Sequence, residues 1–157
     1  MSGGEPWYRD GLRFACTQCG NCCSGPPGAV WVEPEECRAL AEQLSLELPE
    51  FLSRFTREVG SRRSLEERVT EHGNDCIFLD RESAPGRALC GVYEARPSQC
   101  RTWPFWRENL ASRDRWNATR QRVPCPGMDA PNGRVFPLVE IRVMLDEDTK
   151  RSEQAPW

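Results

Sequence analysis

A small, loop-rich α+β fold, a single domain with a few short strands and three to four short helices, is the class this sequence predicts. Three observations carry the prediction. The chain has 157 residues, which is about one domain's length. Only 38% of the residues are hydrophobic and the mean hydropathy is -0.67, while 12 glycines and 13 prolines interrupt regular structure. Of nine cysteines, six fall in two clusters, Cys16-Thr17-Gln18-Cys19-Gly20-Asn21-Cys22-Cys23 and Cys90 to Cys100, with Cys76 and Cys125 beside them. A core this lean needs a staple. Cysteines at C-x-x-C spacing point to metal as that staple, because such a loop brings two sulfurs within reach of one ion.

Charge and chain ends narrow the classes. A formal charge of -3 gives no overall basic pull toward nucleic acid or anionic membrane. The basic residues are almost all arginine, Lys150 being the single lysine, and they are scattered rather than striped. The start, Met1-Ser2-Gly3-Gly4-Glu5-Pro6, lacks the basic and apolar stretches of a secretory signal, and no apolar run reaches membrane-spanning length. A cytoplasmic address is the expectation. That compartment is reducing, and nine is an odd number, so a disulfide framework is not expected.

Element by element, residues 1–13 read as a leader with an aromatic anchor at Trp7 and Tyr8, residues 14–150 as the cysteine-bearing domain and residues 151–157 as a C-terminal tail. Ser24-Gly25-Pro26-Pro27-Gly28 excludes regular structure, and Ala29 to Val32 reads as a short strand. A helix begins near Pro34, since proline suits the first turn and Glu35 and Glu36 suit the positive end of the helix dipole. Cys37, Leu40, Ala41 and Leu44 form its apolar face. Pro49 opens a second short helix carrying Phe51, Leu52 and Phe55. The polar stretch 56–74 alternates around Leu65 and Val69 as a strand would. Cys76 to Leu79 and Ala88 to Tyr93 read as two strands joined by the Asp80 to Arg87 loop with Pro85-Gly86. Arg96 to Cys100 is a turn, because Pro97 pushes Arg96 out of helical geometry. Ser112 caps a helix through Arg120, Cys125-Pro126-Gly127 is another turn, and Pro137 to Asp146 is a last helix with Leu138, Val139, Val143 and Leu145 apolar.

The cysteine constellation carries the chemistry. Cys16, Cys19 and Cys22 follow C-x-x-C-x-x-C, the spacing that supplies three ligands to a [4Fe–4S] cluster. The same C-x-x-C unit is a zinc half-site, and spacing does not choose between them. Cys22 and Cys23 are adjacent, and adjacent side chains diverge in extended backbone, so one of them is expected to serve a second site. The candidate metal ligands are Cys16, Cys19, Cys22, Cys23, Cys76, Cys90, Cys100 and Cys125. They suffice for two four-ligand sites, or for one larger cluster with thiols left beside it. Cys37 lies on an apolar helix face and reads as core. His72, the only histidine, sits in Glu71-His72-Gly73-Asn74 and reads as a solvated loop residue. Arg96 and Arg101 flank Cys100 and could neutralise thiolates. Tyr93, Trp103, Phe105 and Trp106 could shield a metal, but fit a small core better. Glu35-Glu36 and Glu66-Glu67 read as solvated faces, and no catalytic triad, P-loop or dinucleotide fingerprint is present.

These residues also carry a resemblance. Cys-x-x-Cys-Gly-x-Cys-Cys, then Cys76-Ile77-Phe78-Leu79, then Cys90-x-x-Tyr93-x-x-Arg96-Pro97-x-x-Cys100-Arg101-x-Trp103-Pro104, then Cys125-Pro126-Gly127 resembles the YkgJ family of zinc- or iron-chelating CxxCxxCC domains over residues 14–127. Trp103 stands where that family usually has phenylalanine. The resemblance implies metal chelation. Three functions compete: an iron–sulfur protein with an electron-transfer or cluster-dependent role, a structural zinc module for partner binding, and, by analogy with a flagellin lysine methylase branch, a methyl-transfer enzyme domain. The implied partners are metal ions and a protein or redox partner whose identity the residues leave open. No nucleic acid and no membrane is expected.

Overall fold

The computed structural model describes residues 4–152. Met1 to Gly3 of the expected leader and residues 153–157 of the expected tail lie outside the described residues. Secondary structure is mixed α and β, with short helices and antiparallel strand pairs. The chain divides into two compact units, one of residues 18–101 and one of residues 4–17 with 102–152. Among the described residues, no helix is long and apolar enough to cross a membrane.

The unit of residues 18–101 is built on two helices and three short hairpins. Helix α1, Pro34–Gln43, starts as expected, with proline in the first turn and a capping box between Glu33 and Glu36. Its Cys37, Leu40 and Ala41 are buried. Helix α2, Leu48–Phe55, follows and is closed by Thr56, whose hydroxyl donates to the Leu52 carbonyl at 2.6 Å. Strands β2 (Thr56–Val59) and β3 (Arg62–Leu65) pair around Gly60, which takes the positive φ of 61° that such a tight turn needs. Strands β4 (Glu67–Thr70) and β5 (Gly73–Cys76) form a second hairpin directly after it. Thus the 56–74 stretch holds two hairpins rather than one strand.

Three sequence expectations are modified here. The 29–32 segment runs beside β3 through a single bridge, Trp31 to Ser64, instead of forming a strand. The third hairpin is shorter than expected, with β6 (Leu79–Asp80) on β7 (Leu89–Cys90). Cys76 belongs to the preceding hairpin, and Tyr93 lies in a 3-10 turn. Finally, the turn ending at Cys100 continues as a one-turn helix α3, Ser98–Thr102.

The core of this unit is Val32, Cys37, Leu40, Ala41, Phe51, Leu65, Phe78 and Val92. Phe51 is fully buried and stacks on Phe78, 6.3 Å between centroids and 5° between planes. Phe51→Ala is expected to lower the unfolding free energy by about 3–5 kcal/mol in a denaturant titration, because it deletes a stacked ring from a core with few others.

The second unit contains β1 (Leu12–Phe14), α4 (Arg107–Leu110), α5 (Arg113–Arg122), β8 (Arg134–Phe136) and α6 (Leu138–Ser152). Strand β1 pairs antiparallel with β8. Ser112 caps α5 as its sequence predicts, accepting from the Arg115 amide at 3.1 Å. Tyr8, Leu12, Phe105, Leu110, Trp116, Cys125, Met128 and Ile141 form the core, and the Trp7 indole donates to the Leu110 carbonyl at 2.8 Å. On α6 the fully buried residue is Ile141, whereas Val139 and Val143 are exposed.

Candidate metal centre

Residues 18–23 form a tight loop whose shape depends on Gly20. Gly20 adopts a left-handed φ of 80° and opens a 3-10 turn, Asn21–Cys23, closed by the Cys23 amide on the Gly20 carbonyl at 3.0 Å. A Cβ at Gly20 would lie 2.7 Å from the Ala88 methyl. Neighbouring backbone is pinned as well, the Ala88 amide donating to the Gln18 carbonyl at 2.7 Å. The loop is thereby held against the strand that carries Cys90. Gly20→Ala is expected to destabilise the protein by about 1–3 kcal/mol, through both the φ and the contact, measurable by denaturant unfolding.

Cys22 and Cys23 do not diverge. The backbone there is a 3-10 turn and not extended, and their sulfurs approach to 3.8 Å. The Asn21 amide points at the Cys19 sulfur at 3.5 Å. The Phe78 amide likewise hydrogen-bonds the Cys76 sulfur. An amide two residues after a cysteine thus faces its sulfur twice, a donor that can share the charge of a ligating sulfur.

Three further contacts bind the loop to the β4–β5 hairpin. The Ser24 hydroxyl donates to Asp75 Oδ1 at 2.5 Å, and the Asn74 amide donates to the Gly25 carbonyl at 2.8 Å. Gly73, at φ 116°, lies so close to Gly25 that a Cβ would meet its carbonyl oxygen at 2.8 Å. Arg81 grips Asp75 with two hydrogen bonds, Nε to Oδ2 at 2.8 Å and Nη2 to Oδ1 at 3.1 Å. These bonds, against a burial cost and with help from Ser24, hold the Asp75 carboxyl down at about 2.

Cys100 is placed by α3. Its amide donates to the Pro97 carbonyl at 3.0 Å. The Gln99 side chain accepts from the Trp31 amide and donates to the Ala29 carbonyl, both at 3.0 Å. Glu36, read from sequence as a solvated face, instead accepts from the Ser98 amide and so ties α1 to α3.

The thiols sense one another. Cys23 is pushed up by the hydrogen bond shared with Cys22, then by burial, then by the charges of Cys22 and Cys19, with Arg96 opposing. Burial pushes Cys76 up to about 12, reinforced by Cys23 and Cys90 and opposed by the Phe78 amide. Burial also lifts Cys100 well above the ordinary thiol value, with Cys23, Cys76 and Cys90 adding to it and Arg96 opposing. Cys19, Cys22, Cys23, Cys76, Cys90 and Cys100 therefore share one electrostatic neighbourhood in the unit of residues 18–101. Among the described residues, no three His, Cys, Asp or Glu side chains stand in a finished coordination shell. The donor chemistry is all sulfur, which fits zinc or iron and not the oxygen-seeking calcium or magnesium. Mutually repelling thiolates are stabilised by a cation among them, so these residues fit such an ion.

The remaining candidates fall elsewhere. Cys16 is exposed and Cys125 is buried in the core of the other unit. The Ala15 amide donates to the Gly127 carbonyl at 3.1 Å, which draws the chain before Cys16 to the turn after Cys125. In the same unit the Trp103 indole N–H is buried without an acceptor. Phe105 is fully buried core and Trp103 stacks edge-on with Trp106, while Tyr93 is exposed at 54%. Arg96 covers the Tyr93 ring at 3.8 Å. Arg101 is exposed and donates to the Arg96 carbonyl at 3.0 Å. Cys37 is fully buried, its thiol pushed up to about 12 chiefly by burial. His72 is exposed at the β4–β5 turn, 3.6 Å from Glu71. Ser24, Asp75 and Arg81 escape sequence reasoning, since no local motif links positions so far apart.

The comparisons agree with this chemistry. The family model named CxxCxxCC, described as a "Putative zinc- or iron-chelating domain", matches residues 15–126, a span that runs from just before Cys16 to just after Cys125. A protein of Methanocaldococcus jannaschii named as uncharacterized is 30% identical over 98 residues, 62% of this chain and 48% of its own length. The chain thus spans about half the length of that curated relative. No solved structure matches. Family membership supports chelation of zinc or iron by the cysteines. With the family's cysteine pattern present along most of its length, this chain belongs to the CxxCxxCC family.

Proposed function

We propose that the protein binds an iron–sulfur cluster through cysteine thiolates and uses it in electron transfer or a cluster-dependent reaction. The observation that supports this best is the shared neighbourhood of Cys19, Cys22, Cys23, Cys76, Cys90 and Cys100. Amides directed at the Cys19 and Cys76 sulfurs support it further, because such donors stabilise reduced, more negative sulfur. Cys16 and Cys125, proposed as thiol ligands from the sequence pattern, lie in the other unit. A cytoplasmic location suits nine cysteines with no disulfide among them. The chemistry the cluster supplies is one-electron exchange, while the chain's own residues hold it, exclude water and balance its charge.

A second reading, a structural zinc module, is favoured by the lean composition, since a metal offsets a small core. The visible spectrum of protein purified without oxygen separates the two. A brown protein whose absorption bleaches on reduction supports the cluster. Colourless, zinc-loaded protein from anaerobic cells contradicts it and supports the zinc module.

A further inference from the structure

One cation against the Cys19–Cys23 loop is not among those that sequence reasoning singled out. Asp75 is completely buried, adjacent to Cys76, and its two carboxylate oxygens are gripped by Arg81 in a fork at 2.8 and 3.1 Å. Ser24, next to Cys23, donates to the same carboxylate at 2.5 Å. Carboxylate, hydroxyl and guanidinium thus join the loop after Cys23 to the strand before Cys76. The guanidinium also lies against the loop itself: a Cβ on Gly20 would be 3.4 Å from both Arg81 Nη1 and Nη2. Its charge reaches Cys19 and Cys23. Four thiolates around a divalent ion carry roughly -2 in net charge, and a fixed cation offsets part of it. Arginine suits the position because it stays charged and its planar fork is locked by one carboxylate.

We propose that Arg81, locked by Asp75 and Ser24, is a built-in counter-cation of the thiolate site and a positioning residue for the Cys19–Cys23 loop. The inference rests on the reading of these thiols as metal ligands. A paired arginine with a purely structural role predicts a different outcome, because any substitution that keeps the fold would then leave metal affinity alone.

The test is a cobalt(II) titration of the full chain, stripped of metal and reduced. It follows the sulfur-to-metal charge-transfer band, with affinities set by competition against a chelator. Arg81→Gln is expected to weaken cobalt binding by about tenfold to a hundredfold, as loss of an outer-sphere partner does, and to shift the band. Arg81→Lys keeps the charge but not the fork and is expected to stay within about tenfold of wild type. Arg54→Gln removes an exposed arginine paired with Glu50 on α2 and is expected to change nothing. Folded Arg81→Gln protein that binds as tightly as wild type overturns the counter-cation role while leaving the metal site standing. Arg81→Lys protein that is folded and more than tenfold weaker also overturns it, and that variant decides the matter if Arg81→Gln does not fold. Wild-type protein that gives no charge-transfer band overturns both this inference and the metal reading beneath it.

Discussion

Cys100→Ser protein is expected to bind its metal about two orders of magnitude more weakly than wild type in a chelator competition. Cys100 sits on α3, which is fixed from three sides by Pro97, by the Gln99 amide clamp on residues 29 and 31, and by Glu36 on the Ser98 amide. Burial raises its thiol, the charges of Cys23, Cys76 and Cys90 raise it further, and Arg96 opposes them. A hydroxyl at that position is a far poorer ligand than thiolate for zinc or iron. Structural zinc sites bind with about 10–16 kcal/mol, so one ligand of four is worth about 3 kcal/mol, or about two orders of magnitude in affinity. Cys19→Ser is expected to behave in the same way. Cys37→Ser should retain its metal, because Cys37 is sealed in the core with Leu40, Phe51 and Phe78. That substitution instead lowers stability by about 1–3 kcal/mol for burying a hydroxyl. Equal metal loss in all three variants contradicts the division between ligands and core.

Metal affinity is expected to climb steeply with pH. In the metal-free protein burial and neighbouring thiolates raise Cys23, Cys76 and Cys100, Cys76 to about 12. At neutral pH these groups hold their protons, whereas bound metal requires thiolate. The metal-free form therefore carries the extra protons, and lowering the pH favours it. Each proton displaced makes affinity rise about tenfold per pH unit, so two such ligands give about a hundredfold and four about ten-thousandfold. Calorimetric titrations in two buffers of different ionisation enthalpy count those protons. The account predicts about two or more released per ion near pH 7, and release of none contradicts it.

Local signals made part of this structure legible. Helix α1 was readable because Pro34, Glu36 and the apolar positions Cys37, Leu40 and Ala41 agree on one start and one face. The α5 cap was readable from Ser112 alone. The alternation around Leu65 and Val69 pointed to strand, but the division of residues 56–76 into two hairpins was obscured, because Val59 and Val69 point to solvent, Val69 at 84% exposure, and the apolar positions do not mark the buried face. Helix α6 buries Ile141 and exposes Val139 and Val143, a choice made by packing and not by hydropathy. In the site, residue types and order marked the thiols as candidates, yet the convergence of the Cys22 and Cys23 sulfurs depends on the left-handed Gly20 and the 3-10 turn after it. The Ser24–Asp75 contact joins positions 51 apart, and only the hairpin fold brings them together.

Elemental analysis of full-length protein purified without oxygen tests the central claim most directly. The account predicts about one or more zinc or iron ions per chain, lost together when Cys23, Cys76 and Cys100 are all changed to serine. Folded wild-type protein with neither metal at stoichiometric level, or metal retained after that triple change, would contradict it.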